Sequence, residues 1–158
     1  MPGDDGLTDQ LDVVLVRALL RDARATLAAL AQASGLSTSA VQARVRRLEK
    51  RGVITGYRAQ VAAEAVGAPL AAFIEISPLD PAHQDLIPAQ LEDLGEIEAC
   101  HSVAGDAAYI LFVRVAGPQR LEELIRRIRD TAQVTTRTTV VLQTYFEERP
   151  PMVLKPAQ

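Results

Sequence analysis

The apolar residues of this chain change their spacing part-way along it. Up to about residue 50 they recur at intervals of three and four; beyond Pro69 they largely alternate. The first spacing belongs to a helix with one buried stripe, the second to a half-buried strand. Such a break predicts helices packed on helices, followed by a sheet that carries helices of its own. The change falls in "EAVGAP", Glu64 to Pro69, so 62–69 reads as a linker.

Caps divide the first part into three helices. "LTDQLDVVLVRALLRDAR" reads as the first, with Thr8 capping it, Asp9 and Asp12 near the positive end of its dipole, and Leu11, Val14, Leu15, Ala18 and Leu19 as its apolar face. "TLAALAQASG" is short: Thr26 caps it, Gly35 stops it, and Leu27, Leu30 and Ala31 face inward. After a turn of a few residues comes "LSTSAVQARVRRLEKRG", with Ser37 as cap, Gly52 as terminator and Val41, Val45 and Leu48 on the inner side. "VITGYRAQV" alternates around a glycine and reads as a small hairpin or wing. Helix, short helix, glycine turn, basic helix is the helix-turn-helix order.

Charge supports this reading. The chain carries −3 overall, yet residues 1–60 hold nine Lys/Arg against six Asp/Glu and residues 61–158 hold eight against fourteen. Leu36 to Tyr57 alone contains five basic side chains and one acid, Glu49. A basic patch on an acidic chain is the footprint of a polyanion binder; an isolated basic run is otherwise a solvated helix face. In a helix-turn-helix the start of the second helix reaches base edges, which here means Ser37, Thr38, Ser39 and Gln42. Arg46, Arg47, Lys50 and Arg51 then reach phosphates. Arg44 has two readings, a phosphate contact or a pair inside the domain with an acid of the first helix. Tyr57 either touches DNA or packs under the wing.

The second part reads β-α-β-β-α-β. "LAAFIEIS" (70–77) is a strand, and "QDLIPAQLEDLG" (84–95) a helix facing inward through Leu86, Ile87, Gln90, Leu91 and Leu94. Pro88 is tolerable there only in the first turn. "IEACHSVAGDAAYILFVRVA" (97–116) is two strands around the turn 104–107. "GPQRLEELIRRIRDTA" is an amphipathic helix started by Pro118, lined by Leu121, Leu124, Ile125 and Ile128, and "RTTVVLQTYFEE" (137–148) is the last strand. The fold class is α+β, a winged helix-turn-helix domain followed by a ferredoxin-like βαββαβ domain, over 1–61 and 70–150, with a tail at 151–158. Both alternating sets of the last strands are apolar, Leu111, Val113 and Val115 against Ile110 and Phe112, and Val140 and Leu142 against Val141 and Tyr145. Two helices cover one face of such a sheet, so the other is expected to pack on a second subunit rather than under the first domain.

These residues resemble the Lrp/AsnC (leucine-responsive, feast/famine) transcriptional regulators from about Thr8 to Glu148. The matching stretches are "LDVVLVRALLRDARATLAALAQASGLSTSAVQARVRRLEKRGVITGY", "CHSVAGDAAYILFVRV" and "TRTTVVLQTYF". The resemblance implies an operator-binding N-terminal domain, a ferredoxin-like domain that makes homodimers, commonly assembled to octamers, and an amino-acid effector held near a glycine-aspartate turn. Here that turn is Gly105-Asp106, with Val103, Ala104 and Tyr109 beside it. The family's second aspartate is missing, since Ala107-Ala108 leads directly to Tyr109. His101 either lines the effector pocket or is a plain sheet residue, Asp106 is a turn former as well as a ligand candidate, and Thr136 and Thr138 border the pocket across a subunit contact. A side chain at Gly105 is expected to fill the groove and strain the turn.

Other chemistry finds little support. One cysteine and two histidines give no metal cluster at ligand spacing, and no phosphate-cradling glycine loop or Ser/His/Asp set occurs. Cys100 and His101 are strand neighbours and point to opposite faces, so they cannot form a nucleophile and base; Cys100 is expected to be a buried small hydrophobe. No enzyme and no cofactor is expected. The acidic start "MPGDDGLTDQ" and the lack of a long apolar run predict a cytoplasmic protein that does not enter a membrane. The competing readings are an architectural protein that wraps double-stranded DNA with little sequence choice, and a metabolite-binding module or enzyme subunit whose basic helix is incidental.

Overall fold

Residues 7, 9–147 and 149–151 are described by the structure, a computed structural model of the single chain. Two compact units divide the chain, Met1–Gln60 with Phe146–Gln158, and Val61–Tyr145.

In the first unit α1 spans Gln10–Arg21, α2 Leu27–Ser34 and α3 Thr38–Lys50. The cap of α1 is Asp9, whose carboxylate accepts from the Leu11 N–H at 2.8 Å; Thr8 lies outside the described residues. Thr26 and Ser37 cap α2 and α3 as expected, accepting from the Ala29 and Ala40 N–H groups at 3.2 Å each. Such caps contribute about 1 kcal/mol apiece. Gly35 closes α2 in the left-handed region, φ +72°, and only Gly35, Leu36 and Ser37 separate α2 from α3. Leu15, Leu30 and Val41 form the centre of a small core, with Ala18, Leu19, Leu36 and Val45 around it. The buried arc of α1 is wider than the predicted stripe and takes in Asp12, Val13 and Val16, and Leu27 of α2 is exposed rather than inward.

The segment after α3, where the sequence predicts a small hairpin or wing, carries no strand among the described residues. Gly52, φ +69°, follows α3; its N–H donates to the Glu49 carbonyl and that of Val53 to the Leu48 carbonyl, the paired bonds of a Schellman cap. Ile54 N–H also donates to the Leu48 carbonyl. The donors that would start a hairpin are spent on closing the helix, and 53–62 runs without strand structure.

In the second unit β1 (Leu70–Pro78), β2 (Ile97–Ser102), β3 (Tyr109–Val115) and β4 (Val134–Val140) form one antiparallel sheet in the order β2-β3-β1-β4, the ferredoxin-like arrangement. Helices α4 (Ile87–Leu91) and α5 (Pro118–Ala132) belong to the same unit. Its core gathers Ala72, Ile74, Ile76, Leu111, Val113, Leu121, Leu124 and Ile128, with Ile87 and Leu91 of α4. The residues flanking α4 depart from the predicted helix. Pro81–Leu86 is wound as a 3-10 helix, because Pro88 has no N–H to give the Gln84 carbonyl; the Ile87 N–H donates to it instead. Leu86 and Gln90 are consequently exposed. The last strand starts and ends earlier than 137–148. Its pairing with β1 runs from Pro78↔Val134 to Ala72↔Val140, and one further bond joins the Val141 N–H to the Ala71 carbonyl. There β1 itself ends, so Leu142 and Tyr145 have no strand beside them and are 97% and 83% exposed.

Candidate nucleic-acid interface and effector turn

At 100° per residue the inner face of α3 carries Val41 and Leu48, both fully buried, with Val45 partly so. The opposite face therefore carries Ser39, Gln42, Arg46 and Lys50, and all four are exposed. Neither Arg46 nor Lys50 has an ion pair among the described residues. Thr38 is exposed at the helix start, and the Ser37 and Ser39 hydroxyls lie 3.1 Å apart. This stripe is the helix face that the sequence predicts for base-edge and phosphate contacts.

Two predicted phosphate ligands, Arg44 and Arg47, are bonded to acids of the same unit. The Arg44 guanidinium donates through Nη1 to Asp9 Oδ2 and Asp12 Oδ1, each at 2.7 Å, and is half-buried. It takes the second of its two readings, a pair inside the domain. Arg47 donates through Nη2 to Asp12 Oδ2 at 2.7 Å and keeps a half-exposed side chain. The hydrogen bond from Arg44 holds Asp9 below the usual aspartate range, and the hydrogen bonds that Arg44 donates to Asp9 and Asp12 raise its own pKa. The brace that holds Arg47 has a signal in the sequence: two acids three apart, Asp9 capping α1 and Asp12 in its first turn, match two arginines three apart on α3. Arg51 caps α3 through its backbone and is partly buried. Tyr57 is half-exposed and donates its hydroxyl to Glu49 Oε1 at 2.9 Å; burial and then the carboxylate push its ionisation up.

The predicted effector residues occupy several places in the second unit. Val103, Ala104, Gly105 and Asp106 form the β2–β3 turn, pinned by the Val103 N–H to the Ala108 carbonyl and by the Ala108 N–H to the Ile76 carbonyl. Gly105 is not left-handed, and a Cβ there would meet nothing within 4 Å. The expected strain at this glycine is therefore absent from the chain itself. Tyr109 is buried and donates to the Gln84 carbonyl at 3.1 Å, so its hydroxyl is engaged. Register puts Ser102, Tyr109, Ile76 and Thr136 in one row across the sheet, and Cys100, Leu111, Ile74 and Thr138 in the next. Tyr109 and Thr136 share a sheet face but lie two strands apart, roughly 10 Å. His101 pairs with Ile110 and belongs to the opposite face. The single chain thus gathers the turn and Tyr109, and does not bring Thr136, Thr138 and His101 to them. Thr136 Oγ1 already accepts from Arg129 Nε at 2.7 Å.

Cys100 is exposed, not buried. Strand β2 is a sheet edge, where a side chain has a neighbour on one flank only, and the residual burial pushes the thiol up, away from a reactive thiolate. No group of three His, Cys, Asp or Glu able to hold a metal occurs among the described residues, and no helix among them is long and apolar enough to cross a membrane.

Comparison with known proteins places both units in one family. Residues 8–55 match the winged helix-turn-helix DNA-binding domain and residues 71–151 the Lrp/AsnC ligand binding domain. The chain is 55% identical over 141 residues to the HTH-type transcriptional regulator LrpA of Mycobacterium tuberculosis, covering 89% of this chain and 94% of that one. It is 35% identical to the leucine-responsive regulatory protein of Haemophilus influenzae, over 85% of this chain and 84% of that one. Among solved structures, a feast or famine regulatory protein from M. tuberculosis complexed with L-methionine superimposes with a TM-score of 0.88 at 54% identity, covering 90% of this chain and 97% of that chain. The chain belongs to the Lrp/AsnC family: it is a transcriptional regulator, not an enzyme, with a DNA-binding helix-turn-helix and a ligand-binding domain.

Proposed function

We propose that this regulator recognises specific operator sequences through α3, that its ferredoxin-like domain makes a homodimer which assembles further to an octamer, and that an amino acid bound at the β2–β3 turn modulates DNA binding in the cytoplasm. In this reading residues 1–61 are the DNA-binding domain, 62–69 the linker and 70–150 the effector and oligomerisation domain. One observation carries it: the exposed stripe Ser39, Gln42, Arg46, Lys50 lies opposite the buried face of α3, with both its cations uncommitted among the described residues. A helix entering the major groove needs polar side chains for base edges and cations for phosphates on one face.

Dimerisation is supported by the sheet face away from the buried core. Phe73 of β1 is 44% exposed there, its ring centroid 5.0 Å from that of Phe112 of β3. Glu75 and Arg137 flank this aromatic pair and would meet their opposites across a twofold axis. The scattered Thr136, Thr138 and His101 fit an effector site completed by a second chain. L-Methionine, bound in the M. tuberculosis relative, is the first effector to try.

The test is a titration of the full protein onto DNA from upstream of its own gene, against a scrambled duplex, at several salt concentrations and with each common amino acid. Discrete footprints, steep salt dependence and a shift with an amino acid are expected. Uniform protection at equal affinity would make the protein architectural instead. Gly105→Val should leave folding intact, since its Cβ meets nothing in the chain, and abolish the amino-acid response. A normal response in that variant moves the effector site away from the turn.

A further inference from the structure

The acidic side of the brace between α1 and α3 has a geometry that helix packing alone does not require. Asp12 is 3% exposed and divides its carboxylate, Oδ1 to Arg44 and Oδ2 to Arg47. Arg44 meets both carboxylates, those of Asp9 and Asp12, and its side chain is only 23% exposed. Arg47 is different. Only its Nη2 is engaged, its side chain is 51% exposed, and its Nη1 and Nε have no partner among the described residues. It lies 100° around the helix from Arg46, on the flank of the exposed stripe. When a helix occupies the major groove its flanks face the two phosphate strands, and a guanidinium on that flank, held at Nη2 by Asp12, keeps its Nη1 and Nε donors for a phosphate.

We propose that Asp12 is a positioning residue for DNA binding: it fixes the Arg47 guanidinium as a pre-oriented phosphate clamp on the flank of α3. The proposal rests on α3 being the helix that meets DNA. A planar fork held at one edge loses little freedom when its other edge takes a phosphate oxygen, whereas a free arginine must be ordered on contact. Arg46 and Lys50 supply unconstrained charge, and the Asp12-bound arginine supplies direction.

The experiment measures duplex affinity of the full protein at several salt concentrations for the wild type, Arg46→Ala, Arg47→Ala, Arg47→Lys, Asp12→Asn and the Asp12→Asn/Arg47→Ala double variant. Arg47→Ala should weaken binding about tenfold. Arg47→Lys should weaken it nearly as much despite keeping the charge, because a lysine has no fork to orient. Asp12→Asn should cost several-fold, and nothing further once Arg47 is absent. Costs that add in the double variant, tighter binding by Asp12→Asn, or wild-type affinity in Arg47→Lys each overturn the proposal while wild-type binding stands. Absence of salt-dependent binding by the wild type, or indifference to Arg46→Ala, overturns the reading of α3 and this proposal with it. Arg47→Lys leaves the buried carboxylate untouched and carries the test if Asp12→Asn fails to fold.

Discussion

Helices α3 and α5 carry the same number of basic residues and use them in opposite ways. Thr38–Lys50 holds four Lys/Arg and one acid; Pro118–Ala132 holds four Arg and three acids. Each contains adjacent arginines, Arg46-Arg47 and Arg126-Arg127, and each buries an apolar stripe. On α5 acids lie within reach of the arginines. Arg120 meets Glu123 at 2.6 Å on the same helix, Arg127 meets Glu96, Arg126 has Glu122 and Asp130 four residues to either side, and Arg129 donates to the Thr136 hydroxyl. On α3 the answering acids lie on another helix and reach only Arg44 and Arg47, so Arg46 and Lys50 keep their field. A basic helix becomes a reader of nucleic acid through which donors its neighbouring acids leave free, more than through how many cations it has.

The contrast is most directly broken on DNA. Removing Arg46 and Lys50 together should lower the slope of log affinity against log salt by about 2, one for each phosphate no longer neutralised. Removing Arg120 and Arg127 from α5 should leave that slope unchanged, though it deletes as much positive charge. An equal fall in both double variants, measured by anisotropy on the same duplex, would mean that net charge and not local compensation governs binding.

The helix ends sharpen the comparison. Both helices stop on a left-handed residue, Gly52 just beyond α3 and Gln133, φ +51°, at the end of α5. Gly52→Ala should cost about 1–2 kcal/mol from backbone strain alone, since its Cβ would meet open space. Gln133→Gly should move the other way, by less than about 1 kcal/mol, because relief of strain is offset by the loss of the bond from Gln133 Nε2 to the Asp130 carbonyl. Urea unfolding followed by circular dichroism reads both; destabilisation by Gln133→Gly would show that the side-chain bond outweighs the strained φ.

These two helices are also the most legible parts of the sequence. Their periods, caps and stops are set within a few residues, so Ser37, Gly52, Pro118 and the Leu121–Leu124–Ile128 face are readable from the chain alone. The order of elements in the second unit is equally plain. What local pattern does not supply is anything fixed by a neighbour. Strand β4 reads as running to residue 148 by composition and stops at Val140 because β1 stops. Cys100 looks apolar and is exposed because β2 is an edge. The start of the segment after α3 takes no strand pairing because Val53 and Ile54 spend their N–H groups on the helix cap. In the candidate interface the Ser39–Gln42–Arg46–Lys50 stripe is legible. The fate of Arg47 is not, because it depends on a carboxylate 35 residues earlier.

The smallest expected effect isolates that long-range brace. Asp9 is held below its ordinary pKa chiefly by the hydrogen bond from Arg44, assisted by the Leu11 N–H. A carboxyl whose folded pKa is lowered stabilises the fold fully above its unfolded value, and the contribution disappears as pH falls through the folded value. The wild type should therefore lose stability on acidification below the usual aspartate range, about pH 4. Asp9→Asn, which retains an oxygen to cap α1 but cannot ionise, should start slightly less stable at neutral pH and lose less on the way down. The difference should be modest because the Asp9 side chain is 40% exposed and water screens the pair. The matching change on α5, Glu123→Gln, removes a fully local surface pair and should leave the acid limb of the melting-temperature curve where the wild type has it. If Asp9→Asn and Glu123→Gln shift that limb equally, the charges joining α1 to α3 are no more consequential than those lying along one helix.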